Sequence, residues 1–169
     1  MTVAVGSNLD LGSRPLVGAS PGQAMTRFVG HAFRLRGRAS RSEYWWWMLT
    51  NVVVLGLCQF LLPGLISGRT PNPNLMLGPF GSMFFANIPL FTVPETDAPG
   101  SPIAAFFLLL AGIWMLATVI PGVTVLVRRL HDSNMSGLWA ILVVLPLGPL
   151  LLLAFALRRS RPDGDRFDS

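Results

Sequence analysis

The chain has 169 residues, of which 51% are hydrophobic and only 12% are charged, and its net charge is +5. Soluble domains usually carry about 25% charged residues. With a mean hydropathy of +0.55, this chain has too few charged groups to cover a water-facing surface. The composition therefore excludes an ordinary soluble domain, and the apolar residues are gathered into blocks that predict an all-α, polytopic membrane protein.

The charge pattern indicates lipid rather than nucleic acid as the partner. All 13 basic residues are arginine, and they stand beside the apolar blocks. Arginine binds phosphate and carboxylate groups bidentately, so anionic lipid headgroups are the expected neighbours. The single cysteine, Cys58, lies inside an apolar block. The sequence thus offers no disulfide framework and no cysteine metal site, and no cofactor is expected.

The N-terminal part divides at Met25. Residues 1–24 are rich in Gly, Ser and Pro and contain no apolar core of signal-peptide length, so we predict a disordered extension, with Met25 as an alternative start. From Met25 to Leu35 we predict an amphipathic helix lying on an anionic leaflet. Its cationic stripe follows helical offsets and consists of Arg27, His31, Arg34 and Arg38. The alternative is a half-ordered leader whose arginines only determine topology.

A turn then leads into the first predicted span. Gly37 can end a helix in the left-handed conformation, and Ser40 with Glu43 forms the Ser-x-x-Glu capping box of the next helix. Residues 44–62 follow as a membrane span, and their first four, Tyr44 to Trp47, are typical of an aromatic belt at headgroup depth.

Residues 63–102 hold eight of the 14 prolines and are predicted to be a loop on the outer side. Apolar patches within this loop could dip into the outer leaflet or pack on the bundle, and a broken span over 75–93 is a less favoured alternative. The second span, 103–127, is expected to bend at Pro121. Its helix should continue far enough for Asp132 to pair with Arg128 or Arg129, at helical offsets of four and three.

The third apolar block, 138–157, is interrupted by Pro146 and Pro149 and can be interpreted in two ways. A bent third span divides the arginines into eight inside and five outside, whereas a re-entrant hairpin divides them into 12 inside and one outside. The positive-inside tendency prefers the hairpin. A small bundle, however, offers little cover for non-helical backbone, so we favour the bent span. Residues 158–169 form a polar, basic tail.

Two motifs resemble a known family. The first runs from Phe33 through Gly37-Arg38-Ala39-Ser40-Arg41-Ser42-Glu43-Tyr44-Trp45, and the second contains Arg128-Arg129-Leu130-His131-Asp132 followed by Ser136-Gly137-Leu138-Trp139. Together they are similar to the bacterial inner-membrane family called domain of unknown function 805. The tail is also similar, although Asp168 stands where the family usually has glycine. The resemblance implies an integral protein of the cytoplasmic membrane with its N-terminus inside, and it implies no activity.

The charged residues of the two motifs are the candidate site. They are Arg38, Arg41, Glu43, Arg128, Arg129, His131 and Asp132. We favour a non-catalytic, structural or accessory role, in which the arginines anchor headgroups and Glu43 pairs with Arg128 or Arg129.

Three other functions can be proposed for these residues. The first is a phosphate or anionic-lipid site formed by Arg128, Arg129 and His131. The second is a lipid-headgroup enzyme that uses His131 and Asp132, for which no nucleophile or metal-ligand set is evident. The third is an accessory subunit of a transporter, acting with a membrane-protein partner or as a homo-oligomer.

Overall fold

The computed structural model describes residues 14–67, 74–81, 88–92 and 102–168. The main helices are α1 (Pro21–Gly30), α2 (Arg41–Gly56), α3 (Leu62–Ser67), α4 (Pro102–Asp132) and α5 (Gly148–Leu157). A π-helical stretch, Leu57–Leu61, joins α2 to α3, and two 3₁₀ helices cover Gly137–Val144 and Pro162–Phe167. Two short strands, β1 (Asn74–Leu77) and β2 (Ile88–Thr92), pair antiparallel. The predicted helical membrane class is confirmed.

Helix α1 lies four residues earlier than predicted. Ser20 and Gln23 form a reciprocal capping box, with Pro21 in the first turn, and the helix ends at the cap residue His31. Arg34 and Arg38 therefore follow the helix instead of completing a cationic stripe on it. Residues 21–24 of the predicted disordered extension are helical, and residues 1–13 lie outside the described part of the chain.

The predicted turn into the first span is confirmed in detail. Gly37 has a φ of +89°, a conformation that glycine adopts at little cost. Ser40 and Glu43 form the expected capping box. From Arg41 the apolar helix runs 26 residues to Ile66, long enough to cross a membrane. It continues past Pro63 because the π-helical stretch shifts the hydrogen-bond register just before the proline.

The aromatic run Tyr44–Trp47 is only partly a surface belt. Tyr44 and Trp47 are completely buried, and Trp47 stacks on Phe28 with ring centroids 3.8 Å apart. Only Trp45 and Trp46 are partly exposed. Two of the four aromatic side chains therefore belong to the protein core. Phe28 of α1 covers Trp47, whereas Tyr44 contacts the loop between the two long helices.

Part of the loop between the two long helices packs inside the bundle. Its turn after β1, Pro79 to Gly81, is buried, and the Pro79 carbonyl accepts a hydrogen bond of 2.7 Å from the Tyr44 hydroxyl. The Phe80 carbonyl approaches α4 so closely that a Cβ atom at Gly122 would overlap it. Of the alternatives left open for this loop, packing on the bundle is the one that these contacts support.

Helix α4 continues through the arginine pair to Asp132, as the sequence predicts. Over its 31 residues the surroundings change: the first half is largely exposed, whereas every residue from Thr124 to Asp132 is buried. The buried end is enclosed by the segment before α2, by α5 and by the C-terminal tail. These elements form a cap around it, which we call the α4 cap.

The third apolar block folds back on itself. The rings of Trp139 and Phe155 meet edge to face with centroids 6.1 Å apart, whereas a continuous helix would separate these residues by about 24 Å. Gly148 lies at the reversal, where a Cβ atom would overlap the Leu142 carbonyl. This fold-back favours the re-entrant alternative over the bent third span. Pro146 lies between the two short arms. Ala140, Leu142 and Val143 of the first arm and Phe155 of the second are partly buried against the core.

Candidate functional site

The candidate residues lie at the buried end of α4, where Arg129 is at the centre. Its side chain is completely buried and forms an ion pair with Asp132, three residues later on the helix. The Nε atom donates a hydrogen bond of 2.9 Å to the Ala156 carbonyl, and Nη2 donates to the Arg158 carbonyl. A guanidinium on the last carbonyls of α5 satisfies them and complements the negative end of the helix dipole.

Asp132 also forms hydrogen bonds with the C-terminal tail. Its carboxylate accepts a hydrogen bond from the Ser160 hydroxyl, and its backbone carbonyl accepts one of 2.8 Å from the Arg161 amide. The Arg129–Asp132 pair predicted from helical spacing is therefore confirmed. It also holds the chain that leaves α5, which the spacing could not indicate.

Arg128 points toward the N-terminal side of the cap. Its Nη2 atom donates to the Arg38 carbonyl at 2.9 Å, and its own carbonyl accepts from the Ala39 amide at 3.0 Å. Its side chain is only 2% exposed, and its Nε atom has no hydrogen-bond partner within the described residues. Arg128 thus fastens the turn before α2 onto α4, with its guanidinium group buried in the protein.

Arg38 forms ion pairs with two acidic residues of the C-terminal tail. Its Nε and Nη2 atoms donate to the two carboxylate oxygens of Asp168 at 2.9 and 2.6 Å, and Nη2 also pairs with Asp165 at 2.6 Å. Partial burial by itself would lower the pKa of Arg38, but the hydrogen bond and charge of Asp168 raise it above its ordinary value. Asp168, which replaces the glycine of the related pattern, therefore closes a bidentate ion pair.

His131 packs against the same tail. Its ring stacks on Phe167 with centroids 4.1 Å apart and planes 4° apart, and Nδ1 lies 3.2 Å from the Gly37 carbonyl. Asp132, the neighbouring residue, instead binds Arg129 and Ser160. The side chains of His131 and Asp132 therefore do not form the acid–base pair that a headgroup enzyme would need.

Glu43 has a different partner from the one predicted. Its Oε1 atom pairs with Arg27 Nε at 2.5 Å, and Oε2 accepts hydrogen bonds from the Ser40 and Leu16 amides at 2.7 and 3.1 Å. The predicted pairing with Arg128 or Arg129 is wrong. The capping box turns the Glu43 carboxylate back toward the segment before α2, and Arg27 of α1 lies there.

Arg41 is the one candidate residue that stays outside this network. Its side chain is exposed at the start of α2 and lines an open pocket of about 460 Å³ together with Ser42, Trp45 and Ser160. No ion pair joins it to an acidic side chain within the described residues.

Sequence reasoning missed the contacts of residues 16–19 and 165–168 that complete the cap. The Leu16 carbonyl accepts from the Ser40 hydroxyl at 2.6 Å, and the Ala19 amide donates to the Ser42 hydroxyl at 3.0 Å. The Ser20-Pro21-Gly22-Gln23 pattern repeats the capping-box signature and could have located α1. Nothing local marks Asp165 and Asp168 as partners of Arg38.

Oppositely charged groups are gathered around the end of α4. Arg27, Arg38 and Arg129 form ion pairs with the carboxylates of Glu43, Asp132, Asp165 and Asp168, and Arg128 is buried on the same helix end. Within the described residues no cluster of His, Cys, Asp or Glu side chains could hold a metal ion. Of these ion pairs, Arg129–Asp132 is completely buried, whereas the Asp165 side chain is 71% exposed. Breaking a buried pair is strongly destabilising, so Arg129 and Asp132 are expected to hold α4 and the tail together.

A double-mutant cycle tests whether the Arg38–Asp168 pair holds the C-terminal tail on the cap. We expect Arg38→Gln and Asp168→Asn each to lower stability and to show a coupling energy of about 1–2 kcal/mol, because each removes the same bidentate pair. The measurement is thermal unfolding of the purified protein in detergent, together with the rate of trypsin cleavage in the tail. Additive effects of the two changes would contradict the pairing.

Comparisons with known proteins agree with a membrane protein. The chain is 28% identical over 149 residues to the inner membrane protein YhaH of Escherichia coli (strain K12), covering 86% of this chain and 89% of the relative. It is 26% identical over 132 residues to the inner membrane protein YhaI of the same strain, covering 78% and 80%. No solved structure matches the chain.

The family described as Protein of unknown function (DUF805) matches residues 32–169, which include both arginine motifs, the two long apolar helices and the C-terminal tail. The N-terminal boundary of the match falls just after α1, so α1 precedes the matched region. The chain therefore belongs to the DUF805 family of membrane proteins.

Proposed function

We propose that the protein is a non-catalytic, integral protein of the bacterial cytoplasmic membrane with a structural or accessory role. In this proposal its arginine motifs assemble the α4 cap on the cytoplasmic side. The observation that carries the proposal is the burial of Arg128 and Arg129, which are 2% and 0% exposed. Their guanidinium groups are bound to carbonyls of the protein and to Asp132.

The same contacts favour a structural role over a phosphate site at these residues. A cradle for phosphate needs guanidinium and ring nitrogens that reach an accessible ligand. Arg129 has all of its donors within the cap, and the Nδ1 atom of His131 faces the Gly37 carbonyl. Because these groups bind oxygen atoms of the protein, they link α4 to α5, to the segment before α2 and to the tail.

The distribution of arginine supports a cytoplasmic cap. The re-entrant hairpin returns to the end of α4 from which it leaves, since Arg129 binds the Ala156 carbonyl at its far end. With two crossing helices, 12 of the 13 arginines fall on one side, and only Arg69 falls on the other. Inner-membrane proteins concentrate arginine on the cytoplasmic side, and this tendency supports a cytoplasmic location for both chain ends in the proposal.

A fusion experiment tests this topology. Green fluorescent protein folds in the cytoplasm, so we expect fusions at the N-terminus and at the C-terminus both to fluoresce. Alkaline phosphatase, which is active only outside the cytoplasm, should be active when it is inserted after Arg69. A dark C-terminal fusion, together with an active phosphatase at the same position, would show three crossings and would contradict the proposal.

A further inference from the structure

An apolar groove lies on the surface of α4 below the cap. It has a volume of about 300 Å³ and is lined by Phe33, Leu35, Val119, Ile120, Val123 and Thr124. The chain segment before α2 forms one wall, and the Thr124 hydroxyl holds this wall by donating to the Ala32 carbonyl at 3.0 Å. Phe33 is 80% exposed, which for a large apolar side chain indicates contact with a lipid or a partner.

The groove continues into a lipid-facing stripe. Exposed apolar residues recur along α4 at offsets of three or four, which places them on one helix face; they are Phe106, Leu109, Ile113, Leu116 and Ile120. This stripe is about 21 Å long at 1.5 Å per residue. It exceeds the hydrocarbon depth of one leaflet, about 15 Å, so an acyl chain can follow it from the groove to the bilayer centre.

Two exposed arginines are chain neighbours of a residue that lines the groove. Arg34 and Arg36 are exposed and flank the groove residue Leu35 in the chain, so their Cα atoms lie about 3.8 Å from that of Leu35. Within the described residues, neither arginine is paired with an acidic side chain.

We propose that this groove, with Arg34 and Arg36 at its mouth, is a binding site for an anionic phospholipid. The phosphate binds the two guanidinium groups, and one acyl chain lies in the groove and along the stripe. A cationic end joined to an apolar channel complements an anionic lipid, which has both a charged headgroup and an acyl chain. A soluble anion would contact only the cationic end and would leave the apolar channel empty. The inference rests on the proposed placement of α4 across the bilayer, and it does not involve Arg128 or Arg129.

The test measures lipid binding to the full chain in detergent by native mass spectrometry, with phosphatidylglycerol and zwitterionic phosphatidylcholine as probes. We expect the wild type to bind phosphatidylglycerol more tightly. Arg34→Gln with Arg36→Gln should lower that affinity about 25-fold, at about fivefold for each arginine, and should remove the preference between the lipids. Phe33→Ala should weaken both lipids, because it removes a wall of the groove but no charge.

The matched control is Arg159→Gln with Arg161→Gln. These two arginines are also exposed and the change in net charge is the same, so we expect phosphatidylglycerol affinity to stay within twofold of the wild type. Equal binding of the two lipids to the wild type would overturn the inference, and so would an equal loss in the control. All variants are first checked for membrane insertion by flotation. Failure to insert would count against the proposed function, whereas insertion without lipid preference would count against this site alone.

Discussion

Replacing Arg129 with glutamine is expected to lower the free energy of unfolding by about 3–5 kcal/mol, the usual cost of breaking a buried ion pair. The change leaves the Asp132 carboxylate without its cation in a place with no solvent contact. It also removes the donors that the guanidinium offers to the Ala156 and Arg158 carbonyls. The hairpin and the tail should therefore separate from α4.

The measurement is the melting temperature of the purified protein in detergent, and we expect a decrease of about 10 °C, at about 2–4 °C per kcal/mol for a chain of this size. The matched control is Arg159→Gln, an exposed arginine whose loss should change stability by no more than about 0.5 kcal/mol. If Arg129→Gln melts like the control, the arginine motif does not hold the cap together.

Replacing Gly148 with alanine is expected to destabilise the re-entrant hairpin by about 3 kcal/mol or more. An added methyl group that enters a filled site forces the backbone to move, and this movement accounts for the cost. The added Cβ atom would overlap the Leu142 carbonyl. The two arms of the hairpin could then no longer approach each other at Pro146. The result should be a lower melting temperature and faster proteolysis within residues 138–157.

Gly112→Ala is the control for this substitution. Gly112 lies in α4 and an added Cβ atom would meet nothing within 4 Å. Alanine in a helix interior is favoured over glycine by about 0.5–1 kcal/mol, so the control should be neutral or slightly stabilising. A Gly148→Ala protein that melts with the control would exclude the tight reversal, and the bent third span would again explain the sequence.

Local features were predictable because neighbouring residues determine them. A capping box needs only Ser40 and Glu43 at a spacing of three, and the left-handed turn needs only Gly37. The Arg129–Asp132 pair follows from the pitch of a single helix. The two long helices likewise follow from their length and composition.

Contacts between distant parts of the chain were harder to predict from the sequence. The charge of Glu43 predicts a cationic partner, but charge alone does not distinguish Arg27 from Arg128 or Arg129. Its carboxylate faces Arg27 because α1 packs across the start of α2. Arg38 and Asp168 are 130 residues apart, and no periodicity connects them.

By itself, the sequence determined that this chain belongs in a membrane, which stretches form its two long apolar helices, and that arginine would stand beside the apolar blocks. Only the tertiary structure decided that Arg128 and Arg129 lie inside the protein, that the third apolar block turns back, and that Arg34 and Arg36 are left facing outward. Hydropathy and spacing report the preference of a segment for lipid or water. They carry no information on which segments pack against each other. In this protein, that packing determines whether an arginine binds a carboxylate of the chain or remains available to a lipid.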